Sequence, residues 1–358
     1  MARIALLDPN RKGRQAEDLQ TQLRQLVIGQ NEAIQRIVET YQIHCAGMAP
    51  AGRPIGNFLF LGPTGAGKTR AVEATAEALL RDPRAVIKID CAEFQHSHEV
   101  AKLIGSPPGY LGHRETHPLL SQEALNRYHT EKIKLSLVLF DEIEKASDSL
   151  WNLLLGILDK ATLTLGDNRR VDFTQAMIFL TSNLGAAEMS SMVSPRLGFQ
   201  AAPANDEASR AKLSARMSTT GIAAARRRFT PEFVNRLDHI VVFKTLGRDE
   251  LSRILDLELE FVRQRIETAA SGNPFAIHVT AAAKDFLLSE GTDMRYGARP
   301  LKRAIERLLV HPLSNLLATG QIHRGDCIRV SHAQGSPCLS FSRDAAIEQA
   351  WDVGRAAA

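Results

Sequence analysis

The sequence predicts an α/β protein: a parallel sheet covered by helices on both faces, followed by a smaller, mainly helical C-terminal domain. Three observations predict it. Continuous apolar runs (NFLFL, AVIKID, LSLVLFD, AMIFLTSN) alternate with stretches of helical composition, the pattern of strands buried on both faces. A glycine-rich segment, GPTGAGKT, falls between the first run and a helical stretch, where a phosphate-binding turn belongs. Around residue 246 the apolar runs give way to a long amphipathic stretch and short helical segments.

In chain order, residues 8–26 are polar, with Leu19, Leu23 and Leu26 spaced for a short helix feeding the first domain. NFLFL at 57–61 is the first strand, and AVEATAEALL after the glycine-rich turn has helical propensity. AVIKID at 85–90, LSLVLFD at 135–141 and AMIFLTSN at 176–183 are the next strands, with helices around 119–130 and 148–161. Residues 200–220 are polar and poor in large apolar side chains, which predicts a mobile loop. The second domain carries a helix at 250–266, short helices at 280–290 and 298–319, and strand-like DCIRV and CLSFS. The boundaries so drawn are an N-terminal extension at 1–26, a large domain at 27–245, a small domain at 246–343 and a tail at 344–358, whose GRAAA end is expected to fray.

Composition narrows the field. A chain of 358 residues has room for two domains, and 44 basic against 40 acidic residues leave a net charge of +4. That balance gives no electrostatic argument for a nucleic-acid or membrane partner. No apolar run approaches the ~20 residues that cross a bilayer. MARIALLDPNRKGRQ has its apolar patch before its charges, the reverse of a secretory signal, so a cytoplasmic location is expected. Cys45, Cys91, Cys327 and Cys338 lack CxxC spacing and read as reduced thiols. His96, His98, His113 and His117 lack metal-ligand spacing and read as surface histidines.

Gly62, Pro63, Thr64, Gly65, Ala66, Gly67, Lys68 and Thr69 match GxxxxGK[ST]. Glycines let backbone N–H groups turn inward around phosphates, and the following helix N-terminus adds a favourable field. Lys68 is placed to reach the β and γ phosphates of ATP, and the Thr69 hydroxyl to ligate Mg²⁺. A glycine-rich turn that binds nothing seldom has this strand-and-helix context. Asp141 ends an apolar strand and is placed to hold Mg²⁺ through water; Glu142 is placed to orient and deprotonate an attacking water. A lone Asp-Glu pair is commonly a solvated strand cap, and the phosphate loop is what gives this one its meaning. Asn183 ends the fourth strand, where an amide can position that water rather than merely form a turn. Glu144 and Lys145 are assigned no chemistry.

These residues belong to a longer series. VIGQNEAI, GPTGAGKT, GSPPGYLG, LFDEIEKA, TSNLG, FTPEFVNRLD and YGARPLKRAIE occur in the order found in the Clp protein-unfolding ATPases of the AAA+ group. Residues 20 to 330 resemble in particular the second ATPase module of two-ring Clp chaperones. The resemblance implies an AAA+ fold, ATP hydrolysis and a homo-hexamer threading unfolded polypeptide. It implies that Val27 and Ile28 line an adenine pocket, and that Arg236 is an arginine finger reaching the neighbouring subunit's γ-phosphate. Arg299 is implied as a second sensor, and Tyr110 with Leu111 as a pore loop gripping substrate. Surface pairing of Arg236 with Glu232 or Asp238, a helix-bracing Arg299 and an ordinary surface loop at Tyr110 are the plainer alternatives. Leu197, Gly198 and Phe199 resemble the tripeptide with which some Clp ATPases dock a peptidase; a purely structural loop is the alternative.

Only about 26 residues precede VIGQ, so a coiled-coil-dependent disaggregase is not expected, and substrate choice falls to the pore, the N-terminal segment or an adaptor. Residues 113–134 run longer than the family stretch, without explanation. Two other functions stay open: a nucleic-acid-directed motor or loader on the same scaffold, and a non-proteolytic remodeller or assembly scaffold held together by ATP.

Overall fold

The computed structural model of the chain describes residue 8 and residues 11–106, 118–193, 207–268, 275–293 and 297–343. It divides into two compact units, Met1–Lys244 and Thr245–Ala358. The first opens with α1 (Arg14–Leu26) and α2 (Asn31–Cys45), then β1 (Gly56–Leu61), α3 (Lys68–Leu80) and β2 (Ile87–Asp90). Short α4 (Ala101–Ile104) and α5 (Gln122–Asn126) precede β3 (Ser136–Asp141) and α6 (Asp148–Lys160). A small hairpin of β4 (Thr162–Thr164) and β5 (Arg170–Asp172) leads to β6 (Ala176–Ser182), α7 (Ala186–Val193), α8 (Glu207–Arg228), α9 (Pro231–Val234) and β7 (His239–Val242).

The sheet has the order β2-β3-β6-β1-β7, every pairing parallel. Side chains alternate along each strand, so the apolar runs divide between two cores. Leu59, Leu61, Val138, Phe140, Ile178 and Leu180 join Leu150, Leu154 and Phe233 on one face. Phe58, Phe60, Leu137, Leu139, Met177 and Phe179 join Leu19, Leu23, Ile34, Ile37 and Val72 on the other. Phe58 stacks on Phe179 with ring centroids 4.9 Å apart, across the β1–β6 pairing. Double-sided burial explains why these strands show no polar alternation in sequence.

Several expectations need revision. The loop expected at 200–220 is helix from residue 207, the start of α8, where Met217 and Ala225 are buried in the first core. The run has few large apolar residues but many helix formers, and at Gly221 the helix packs closely on β7, where a Cβ would lie 3.2 Å from Val242 Cγ2. The helix expected at 119–130 is shortened to α5, which the Ser121 hydroxyl starts by accepting the Ala124 N–H at 3.2 Å. β7 and the β4–β5 hairpin, too short for a periodic signal, were not anticipated. Tyr110, Leu111 and Leu197, Gly198 and Phe199 lie outside the described residues.

In the second unit α10 (Arg248–Thr268), β8 (Ala276–Val279), α11 (Ala281–Gly291), α12 (Arg299–Ile305), α13 (His311–Ala318), β9 (Cys327–Ser331) and β10 (Ser340–Arg343) enclose a separate core that includes Leu255, Leu287, Leu301 and Leu309. Its strands form a small sheet of order β10-β9-β8. A π-helical turn at Glu306–Val310 joins α12 to α13, so the single helical stretch expected at 298–319 changes its hydrogen-bond pattern midway.

Candidate active site

The parallel order puts the carboxyl ends of β3, β6 and β1 side by side, and the residues leaving those ends form the site. Leaving β1, the chain turns at Gly62, φ 144, with Gly65 and Gly67 also at positive φ, 78 and 98. Such angles suit glycine alone. Lys68 opens α3 and is 7 % exposed. Its ammonium donates to the carbonyls of Gly62 at 2.7 Å and Pro63 at 3.0 Å, and to Asn183 Oδ1 at 2.9 Å. Thr64 Oγ1 donates to the same Asn183 oxygen at 3.4 Å.

β3 delivers the acids. The Thr69 hydroxyl lies 3.4 Å from Asp141 Oδ2, and the Thr181 hydroxyl donates to Asp141 Oδ1. Glu142 sits in the left-handed region, φ 55, with its N–H held by Thr181 Oγ1 at 3.2 Å. One Glu142 oxygen pairs with Lys145; the other lies 3.4 Å from Asn183 Nδ2. That carboxylate raises the pKa of Lys145, chiefly by hydrogen bonding and then by charge. Glu144, turned inward, accepts the Asn183 backbone N–H at 3.0 Å through Oε1, while its Oε2 is buried without a hydrogen-bond partner. The site is strongly acidic: burial pushes the nearby Cys91 thiol well up, and the carboxylates of Asp90, Asp141, Glu144 and Glu142 push it further.

The phosphate-loop residues, Asp141, Glu142 and Asn183 are thus brought together, in contact with one another. Thr181, which the sequence reading does not name, and Glu144 and Lys145, to which it assigns no chemistry, join them. The spacing of Thr181, on β6 two residues before Asn183, is the available signal. Val27 and Ile28, at the end of α1, are buried. Gln30, not singled out either, bonds the Ala66 carbonyl at 3.1 Å and both main-chain groups of Lys244 at 3.0 Å, bracing the phosphate loop. Arg236 stands elsewhere, at the opposite end of β1, where its guanidinium pairs with Glu232 at 3.1 Å and more loosely with Asp159 at 3.7 Å. Arg299 is the exposed first residue of α12 in the second unit.

A glycine-rich phosphate loop, an acid pair and a polar strand end, set side by side in a parallel sheet, define a nucleoside-triphosphatase of the phosphate-loop class. Residues 53–240 match the family model "AAA domain (Cdc48 subfamily)", and residues 246–330 match "C-terminal, D2-small domain, of ClpB protein". The chain belongs to the AAA family of ATPases, in a module of ClpB type.

The chain is 38% identical over 89% of its length to chaperone protein ClpB of Bdellovibrio bacteriovorus, and 39% identical over 87% to that of Gloeobacter violaceus, covering 34% and 33% of those proteins. Among solved structures, the S. cerevisiae Hsp104:casein complex in its extended conformation matches with a TM-score of 0.74 at 28% identity, over 92% of this chain and 53% of that one. A closed-state reconstruction of Hsp104 with ATPyS and FITC casein matches with a TM-score of 0.73 at 28% identity, over 91% and 52%. The chain spans about a third of the length of the curated relatives it matches. The expectation against a disaggregase rested on the short segment before Val27, and so short a share of each relative cannot carry it. Among the described residues no helix is long and apolar enough to cross a membrane.

Proposed function

We propose that this module couples ATP hydrolysis to the threading of unfolded polypeptide through a homo-hexameric ring, in the cytoplasm, as a ClpB- or Hsp104-type remodeller. Its working units are the large module at residues 27–245 and the small module at residues 246–343. The observation that carries the reading is the separation of Arg236 from its own phosphate loop. β7 lies parallel to β1 with His239 opposite Phe58, so Arg236 is beside the start of β1 while the loop leaves its end. Six strand residues, roughly 20 Å, intervene, farther than an arginine side chain reaches. An arginine finger so placed serves an adjacent subunit, and a site completed that way needs a ring.

In the reading, Lys68 exchanges its two loop carbonyls for the β and γ phosphates, and the loop N–H groups cradle them. Thr69 and Asp141, hard oxygen donors 3.4 Å apart, suit Mg²⁺, which is ordinarily held by one or two such protein groups with phosphate and water. When bound, the ion neutralises charge developing on the phosphates. Glu142 takes a proton from the attacking water, and Asn183, already bridging Lys68 and Glu142, positions that water. Arg236 of the neighbouring copy completes the pocket, and Arg299 is the second sensor. Val27 and Ile28 form the apolar bed for adenine, and Tyr110 with Leu111 grips the polypeptide. Casein in the matched Hsp104 structures supports a polypeptide client over a nucleic acid.

The test is Glu142→Gln in the full chain. The variant keeps ATP affinity and assembly, turnover falls about 10²–10⁴-fold, and the stalled ring retains a denatured client such as casein. Normal turnover would remove Glu142 as the base; retention of single-stranded DNA in place of casein would replace the client class.

A further inference from the structure

Asn57 is the second residue of β1 and is fully buried. It does two things at once. Its main chain pairs with Asp238, the Asn57 N–H donating to Asp238 Oδ2 at 2.8 Å and the Asp238 N–H to the Asn57 carbonyl at 2.9 Å. Its side-chain NH₂ donates to the Leu158 carbonyl and to the Arg236 carbonyl, both at 3.0 Å. The amide oxygen is buried with no hydrogen-bond partner. A residue that only filled this space would be better apolar, because an orphaned buried acceptor is unfavourable and uncommon in native proteins. The two N–H donors are what the amide supplies.

The two ends of Arg236 are held very differently. Its carbonyl is fixed by Asn57 and, at 3.4 Å, by Arg53 Nη2, whose guanidinium also pairs with Asp238 at 3.5 Å. Its head is held by Glu232, whose carboxylate, 61% exposed, lies at 3.1 Å and whose main-chain carbonyl accepts from Nη1 at 2.9 Å, and by the carboxylate of Asp159, 45% exposed and 3.7 Å away. Exposed pairs of that kind are weak. A base fixed by buried amide donors, under a guanidinium held only by its own short helix and by exposed carboxylates, suits a side chain that must leave its own subunit and point at another.

We propose that Asn57 is a positioning residue for the adjacent subunit's active site: it seats the Arg236 finger on the start of the strand whose other end carries this subunit's phosphate loop. One strand then registers a subunit's own site with the site it completes next door. The inference rests on reading Arg236 as a finger acting in trans, and the experiment separates the two.

Asn57→Leu removes both donors at similar volume, and Asn57→Ser retains at most one. In the full chain, Asn57→Leu is expected to bind an ATP analogue and assemble as wild type while kcat falls about 10²-fold, since small misplacements of a catalytic group cost that much. Asn57→Ser falls between. The decisive measurement mixes Asn57→Leu with Glu142→Gln subunits. Each alone is slowed at least about 10²-fold, but a Glu142→Gln neighbour supplies a well-seated finger, so hydrolysis returns at the Asn57→Leu sites, as it does when Arg236→Ala is mixed in the same way. Recovery for Arg236→Ala but none for Asn57→Leu overturns the proposal and leaves the finger intact. No recovery for either overturns the trans reading and the proposal with it. Wild-type turnover by Asn57→Leu alone also overturns it. Should Asn57→Leu fail to fold, Asn57→Ser carries the same mixing test.

Discussion

Glu142 occupies the left-handed region, φ 55, which a glutamate adopts only where its surroundings impose it. The Thr181 hydroxyl is what imposes it here, holding the Glu142 N–H while bonding Asp141 on the preceding residue. Lys145 and Asn183 then engage one carboxylate oxygen each. At the other end of the sheet, His239 is half-buried between Phe58, whose ring centroid is 5.2 Å away, and the Thr40 hydroxyl at 3.1 Å. Desolvation, with Arg36 adding, holds its pKa below the ordinary value; Asp238 and Glu39 only partly offset this. The unfolded chain therefore takes up the proton first as pH falls through about 6.5, and stability declines below that point. His44 and His129, lowered mainly by burial, act in the same sense. Urea unfolding between about pH 7.5 and about pH 5.5 should show this loss, and His239→Asn should make it shallower. An unchanged slope would show that His239 is not held neutral in the folded chain.

At the scale of elements, β1 does most to organise the first unit, since it pairs with β6 and β7 and launches the phosphate loop. The turn that leaves it tolerates little. A Cβ at Gly62 would stand 2.7 Å from the Phe243 carbonyl oxygen and 3.0 Å from Phe243 Cβ, at a φ of 144. At Gly67 the space is open and only the backbone angle objects. Gly62→Ala is expected to destabilise by about 1–3 kcal/mol, displace the loop and abolish nucleotide binding, with Gly67→Ala the milder of the two in thermal unfolding. Strands are legible in the sequence where a run is long and uniformly apolar, as in β1, β3 and β6. The sequence reading misses β7, four residues defined by pairing with β1, and it takes the start of α8 for a loop because that stretch offers few large apolar side chains.

For the whole molecule, the proposed function separates hydrolysis from pulling. Tyr110, the gripping tip in that proposal, is an aromatic, which offers contact area to any side chain without reading sequence. Tyr110→Ala is therefore expected to keep ATP turnover within about twofold while unfolding of a stable client falls at least about tenfold, because the pocket shares no residue with the tip. Equal loss of both activities would tie the tip to the pocket itself.

The phosphate loop, Asp141, Glu142 and Asn183 were legible in the sequence because each is a local signal: an apolar strand, then the polar residue that leaves its end. A parallel sheet converts such signals into a site without further instruction. Thr181 on Asp141, Glu144 on Asn183 and Asn57 on Arg236 join residues 40, 39 and 179 apart in the chain, and they were invisible until the strands were laid side by side. The place of Arg236 is of the same kind: a sequence motif singles it out, but only the pairing of β7 with β1 puts it at the far end of the sheet from its own phosphate loop. Local chemistry is written in neighbouring residues, whereas which group faces which is decided by strand order, and strand order is a property of the packed sheet.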